Sequence, residues 1–251
     1  IAGSVVSTAP SVRVTDATGN GVPGVTVTFA VTGGGGSITP TTVSTNATGF
    51  ATLTSWTLGT VAGPNSVTAT VAGLAGSPVT FNATGLVGPD ALLSITAQPG
   101  GASIGAPFTT QPVVEIRDAN GNLTASTATV TVAIASGGGT LGGTTTVTAV
   151  NGVATFTNLS LSNTGAHTLT FTATGLTSVT SASFIVAAGP PTNIAANSAI
   201  AQTANAGTAV AAAPSVLVTD AFGNPVAGVN VTFAVTAGGG VITPTTVATN
   251  A

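Results

Sequence analysis

Eight ionisable side chains are available to this chain of 251 residues: Arg13, Asp16, Asp90, Glu115, Arg117, Asp118, His167 and Asp220. Acid–base or glycosidic chemistry needs two carboxylates held about 5–10 Å apart. Asp16, Asp118 and Asp220 occupy the same place in three repeated segments, so they are expected a domain length apart. His167 is flanked by Ala166 and Thr168, with neither a nucleophile nor an orienting acid beside it. It reads as an exposed histidine at a strand start. Cys, Lys and Tyr are absent from the sequence, which removes thiolate and Schiff-base routes. No catalytic residue and no cofactor is expected, and the chain reads as a non-enzyme.

The remaining polar motifs are turns and loops. Each Asp-Ala-x-Gly-Asn run (Asp16–Asn20, Asp118–Asn122, Asp220–Asn224) can fold as a tight turn: Asp accepts backbone N–H groups two residues on, and Gly-Asn tolerates a left-handed backbone. Asp118, Asn120 and Asn122 form a weak calcium candidate, because the bidentate glutamate that closes such a loop is missing. The glycine runs Gly33–Gly36, Gly137–Gly139 and Gly238–Gly240 precede no helix and no Lys, so they read as loops and not as phosphate cradles. Trp56, the single tryptophan, is expected in the core; as an exposed platform it would suit a carbohydrate-binding accessory module. Candidate glycosylation sequons stand at Asn46, Asn82, Asn122, Asn158 and Asn230.

Composition narrows the partners. Soluble domains are about 25% charged, whereas this chain is 3% charged with a formal net charge of −3. No basic stripe exists to neutralise phosphates, so nucleic acid is not an expected partner. Apolar residues are interleaved with Thr and Ser, and no run approaches the roughly 20 residues that span a bilayer. Membrane insertion is not expected of this segment. Absence of cysteine rules out a disulfide framework.

The elements that position these residues follow from internal repetition. SVRVTDATGNGVPGVTVTFAVTGGGG, from Ser11, returns as SVLVTDAFGNPVAGVNVTFAVTAGGG, from Ser215. A diverged copy, VEIRDANGNLTASTATVTVAIASGGG, runs from Val114 to Gly139. Period-two alternation of β-branched residues marks about seven short strands per 90–100 residues and no helix, the pattern of a Greek-key β-sandwich. We expect tandem immunoglobulin-like sandwiches over residues 1–86, 87–188 and 189–251, joined by LVGPDA and AGPP. The first is expected to lack its opening strand and the last to hold only its amino-terminal part, with residue 252 onward resembling TGFATLTSWTLG. In ATLTSWTL the alternation slips near Thr54–Ser55, and a bulge there would return Ala51, Leu53, Trp56 and Leu58 to one core. Asn151-Gly152 predicts a hairpin. Trp56, Phe29, Phe81, Phe156, Phe171, Phe184 and Phe233 are the large groups expected to dominate cores otherwise built from Ala and Val, at about 1.5–3 kcal/mol each.

The succession P-S-V-x-V-T-D-A-x-G-N, V-x-V-T-F-A-V-T, a glycine run, T-x-A-T-G-F-A-T and V-T-A-T-V-A-G-L resembles the bacterial immunoglobulin-like repeats of invasin/intimin-type surface proteins. The resemblance covers nearly the whole chain. It implies an extracellular or cell-surface structural repeat, forming a stiff rod or stalk whose partners are neighbouring repeats of one long chain. It carries no receptor-binding tip. The low charge of Thr-, Ser- and Asn-faced sheets suggests an alternative, lateral self-association into an extracellular filament.

Overall fold

The computed structural model describes residues 1–250, which form 23 short β-strands and, among the described residues, no helix. Alternation explains why. Along Thr26–Gly33 the side chains of Val27 and Phe29 are buried while Thr26, Thr28 and Ala30 face water, the pattern of a sheet with one wet side. The polar face is paired across strands, with Thr28 opposite Thr70 and Ala30 opposite Thr68.

Two hydrophobic clusters form, and they share no member. The first gathers Val27, Phe29, Ala51, Leu53, Trp56, Leu58, Val67 and Ala69. It lies inside an amino-terminal sandwich whose four-stranded sheet runs Thr42–Ser44, Thr26–Gly33, Gly63–Thr70, Val79–Gly85. Facing it are two strand pairs, Ser11–Arg13 with Phe50–Thr52 and Ser37–Thr39 with Ser55–Thr57. The second cluster gathers Val114, Ile116, Val130, Phe156, Leu159, Leu169 and Phe171 among others. Its sandwich repeats the first with one addition: Val113–Arg117 pairs with Val153–Thr155 on one edge and with Leu92–Ala97 on the other. The Phe156 and Phe171 rings meet at 5.3 Å between centroids. From Asn193 onward two strand pairs follow, Asn193–Ala196 with Val216–Thr219 and Asn230–Thr232 with Thr246–Ala248.

The phase slip in ATLTSWTL has a different origin from the expected bulge. The Leu53 N–H donates to Pro10 O at 3.0 Å, but the Thr54 N–H donates to Thr39 O at 2.8 Å. Between these residues the chain leaves one strand pair for the other, and the inward direction reverses. Ala51, Leu53, Trp56 and Leu58 all end up at most 5% exposed. The central sandwich switches in the same way between Phe156, bonded to Pro112 O, and Thr157, bonded to Thr144 N–H. At the Asn151-Gly152 hairpin both residues have positive φ, 49° and 79°, and Val150 and Val153 exchange both backbone bonds, the geometry of a type I′ turn.

Phe108 is a core residue that alternation did not disclose. It is 3% exposed, packs edge-on against Phe184 at 5.4 Å, and sits on an irregular segment where period two gives no signal. Phe81 and Phe184 are half-buried and packed against their cores, and Phe233 is half-buried outside both clusters.

Because Phe171 is fully enclosed and packs at a tilt against Phe156, Phe171→Ala should destabilise the central sandwich by about 3–5 kcal/mol. Native-state hydrogen exchange of the Gly165–Thr172 amides in the full chain would measure it, with the Gly63–Thr70 amides as the internal reference.

Candidate functional site

The three Asp-Ala-x-Gly-Asn turns share one construction. In each the Asp Oδ1 accepts two backbone N–H groups, from Thr18 and Asn20 (both 2.9 Å), from Asn120 and Asn122 (2.9 and 2.8 Å), and from Phe222 and Asn224 (2.8 and 2.9 Å). The Asp N–H donates to the Asn carbonyl in all three. Gly19, Gly121 and Gly223 lie at φ near +85°, a conformation that costs a residue with a Cβ more than it costs glycine. Sequence repetition therefore encodes local geometry directly.

What the second carboxylate oxygen does separates the copies. Asp118 Oδ2 accepts the Gly88 N–H at 2.8 Å, and Asp220 Oδ2 accepts the Gly189 N–H at 2.9 Å. Each glycine opens a Gly-Pro step on the segment leading out of the preceding unit. Three residues later the same strand is held again: Ala91 N–H donates to Arg117 O (2.9 Å) and Thr192 N–H to Thr219 O (2.8 Å). Asp118 and Asp220 are each 1% exposed, while Asp16 is exposed and its Oδ2 meets the Asn20 amide at 3.2 Å.

Further contacts complete both junctions. Asn120 Nδ2 donates to Ala2 O, Asn122 Nδ2 donates to Thr60 O, and Asn122 Oδ1 accepts the Ala62 N–H, each at 2.9 Å. At the second junction Phe222 stands where Asn120 stands in the first. Its ring lies against Gly105, where a Cβ would come within 2.9 Å of it. Asn120 lies against Gly3 in the matching way. One junction is thus completed by hydrogen bonds and the other by apolar contact, on the same scaffold.

All three aspartates are held at a pKa of about 2, against an ordinary 3.8. For Asp118, burial is the largest effect and raises the pKa; the Asn122 amide and the N–H groups of Gly88, Asn122 and Asn120 together outweigh it. Asp220 follows the same balance, with the Gly189 N–H first among the groups that favour the anion. For Asp16 the Thr18 hydroxyl contributes most.

The calcium candidates Asp118, Asn120 and Asn122 lie together at this turn. Both Asp118 carboxylate oxygens and Asn122 Oδ1 face N–H donors, while Asn120 uses its amide nitrogen on a carbonyl. These oxygens are directed at protein donors. Among the described residues no three His, Asp or Glu side chains gather as a metal-binding group.

His167 also departs from expectation. It is fully buried instead of exposed, because Gly165–Thr172 begins two residues before it and turns its side chain inward. Nδ1 lies 3.0 Å from Gly165 O, the ring centroid is 6.3 Å from that of Phe184, and Nε2 has no partner. The matching Asn65 accepts the Gly59 N–H at 2.9 Å. Trp56 is 3% exposed, so it offers no ring face for stacking a sugar, and the accessory-module reading loses its platform. Of the sequons, Asn46, Asn82, Asn158 and Asn230 are exposed, whereas the Asn122 amide is engaged in the junction. Sequence reasoning saw the three turns but had no means of seeing the linker glycines as their partners. The available signal was the Gly-Pro step placed 30 residues before Asp118 and 31 before Asp220.

Residues 1–84 match the family model of the bacterial Ig-like domain (group 1). No curated protein matches the chain. Among solved structures, the Escherichia coli adhesin FdeC is 18% identical over 92% of this chain and 75% of its own, with a TM-score of 0.43. InvD of Yersinia pseudotuberculosis is 20% identical over 86% and 66%, with a TM-score of 0.39. Invasin, a bacterial integrin-binding protein, is 20% identical over 88% of this chain and 44% of its own, with a TM-score of 0.37.

Asp118→Ala should leave the Gly88 N–H without its acceptor and speed its hydrogen exchange by roughly tenfold or more, with the Val27 and Val67 amides unchanged. The pH dependence has a definite sign. Because the folded carboxyls titrate near 2 and ordinary ones near 3.8, the junction bonds contribute fully above about pH 4 and are lost as the pH falls toward 2. Exchange at Gly88 and Gly189 across that range is the measurement.

Proposed function

We propose that the chain, whose residues 1–84 match the model of the bacterial Ig-like domain (group 1), is a non-enzymatic run of such repeats, serving as a stiff stalk in a bacterial surface adhesin. The repeats are residues 1–86, 87–188 and 189–251, and the setting is the cell surface or extracellular space. One observation carries the reading: the linker glycine N–H is bound by a turn carboxylate in the same way at both joints, Gly88 to Asp118 and Gly189 to Asp220. A flexible linker needs no such bond. Here two consecutive linkers are anchored by a buried, ionised side chain, with a second backbone bond three residues on, so bending at the joint must first break charge-assisted hydrogen bonds.

The surface suits an extended spacer. Outward strand positions carry Thr, Ser and Ala, and the one ion pair between side chains among the described residues joins Arg117 to Glu115. Such faces have little charge to be screened by salt. A second reading, side-by-side packing into a filament, draws on that same uncharged face and on exposed apolar residues such as Val61, Ile185 and Val241.

Small-angle scattering of the full chain tests the stalk. A pair-distance distribution with the long tail of a rod is expected, and the double variant Asp118→Ala/Asp220→Ala should broaden it toward a flexible chain. Identical curves for both proteins would remove the joint from the argument. A molecular mass that rises with concentration would favour the filament.

A further inference from the structure

The third residue of the Asp-Ala-x-Gly-Asn turn sets the two joints apart, being Asn120 at one and Phe222 at the other. Both side chains meet the same feature of the unit before them. A glycine, Gly3 or Gly105, lies at φ +77° or +71° and donates its N–H to the carbonyl of Gly59 or Leu161, at 2.8 Å in each case. A Cβ on Gly3 would lie 3.2 Å from Asn120 Nδ2, and a Cβ on Gly105 would lie 2.9 Å from the Phe222 ring. Neither receiving end has room for a side chain there, so the turn residue rests directly on backbone.

The loops that follow Gly59 and Leu161 then diverge. In the amino-terminal unit the loop gives its backbone to the next unit. Thr60 O accepts the Asn122 amide and Ala62 N–H donates to Asn122 Oδ1, while Ala2 O accepts Asn120 Nδ2. In the central unit the corresponding loop is closed on its own sandwich: Asn163 Nδ2 donates to Gly137 O at 2.9 Å, and Ser162 Oγ accepts the Thr140 N–H at 2.8 Å. The Asn224 amide turns back to both oxygens of Asp220, at 3.1 Å each. Phe222 sets one edge against Gly105 while 65% of the residue stays exposed. Hydrogen bonds hold an angle as well as a distance, whereas apolar contact has no preferred direction.

We propose that this turn residue is the specificity-determining residue of each joint, the group by which a unit is matched to the one before it. Asn120 belongs with a receiving end that presents backbone carbonyls and an N–H, and the set of bonds it completes fixes the angle between the two units. Phe222 belongs with a receiving end whose loop is already satisfied, and it leaves that joint to turn about the bond between Gly189 and Asp220. The first joint is a clamp and the second a pivot. Exchanging the two residues puts a ring against unpaired polar backbone at one joint and an amide against a closed loop at the other, which penalises the wrong pairing. This match rests on the reading of the chain as successive repeats, and it names the residue that sets each joint.

Amide hydrogen exchange of the full chain reads the match. Asn120→Phe leaves Ala2 O without its donor and disturbs the neighbouring Asn122, so exchange at Ala62 should rise roughly tenfold or more. The Val27 and Phe171 amides, one in each core, should not change and so report that both sandwiches stay folded. Phe222→Asn should speed exchange at Gly189, and Phe222→Leu, which keeps an apolar edge, should not. If Asn120→Phe slows exchange at Ala62 or leaves it unchanged, the aromatic is a general adhesive and the match is overturned. Equal exchange at Gly189 in Phe222→Asn and Phe222→Leu overturns it as well. Residual dipolar couplings of the unmodified chain read the angle: one alignment tensor should describe residues 1–188 and a weaker one residues 190–250, and a single tensor for the whole chain removes the pivot. Small-angle scattering reports stiffness separately. A flexible chain with the expected exchange pattern removes the stalk and keeps the match, and a rod without that pattern does the reverse.

Discussion

A carboxylate has two oxygens, and the organisation of this chain follows from how they are divided. One oxygen of each turn aspartate closes the turn itself, accepting backbone N–H groups two and four residues ahead. In Asp118 and Asp220 the other oxygen reaches out of the turn to a glycine N–H on the entering strand. The buried anion is tolerable because its acceptor sites are met by donors. The donor is backbone, so the contact survives wide variation in linker side chains, as the change from Gly88-Pro-Asp-Ala to Gly189-Pro-Pro-Thr illustrates.

The same economy governs the interiors. With few large residues, each sandwich fully encloses only some of its aromatic groups: Phe29 and Trp56 in one, Phe108, Phe156 and Phe171 in the other. The switch of strand pairs between Leu53 and Thr54, repeated between Phe156 and Thr157, lets one short segment contribute to both sides of a core. In the first sandwich buried Asn65 bonds Gly59, while Trp56 Nε1 is buried without a partner. His167, at the position matching Asn65, retains an unpaired Nε2. That difference has no counterpart elsewhere in the chain that would explain it.

Amino-acid order alone settles the all-β class, the alternation of wet and dry faces, the hairpin at Asn151-Gly152 and the internal geometry of the three turns. Each depends on neighbours within about five residues, where periodicity and Gly, Asn and Asp preferences act directly. Those same local rules misplace His167: it shares the inward phase of Leu169 and Phe171, and because the strand starts at Gly165 it lies within the paired strand and not at its open start. They also turn the slip at Thr54–Ser55 into a bulge, because a change of partner sheet and an inserted residue leave the same mark on alternation. Phe108, on an irregular segment, leaves no mark at all.

Only the tertiary structure decides what the turns are for. Asp118 and Gly88 are 30 residues apart, and Asp220 and Gly189 are 31 apart; no short-range pattern links them. They meet because the strand that begins shortly after each glycine pairs with the strand leading into the turn, which brings the glycine N–H to the carboxylate. The sequence writes three equivalent aspartates. Packing ties two of them, Asp118 and Asp220, to a distant glycine N–H.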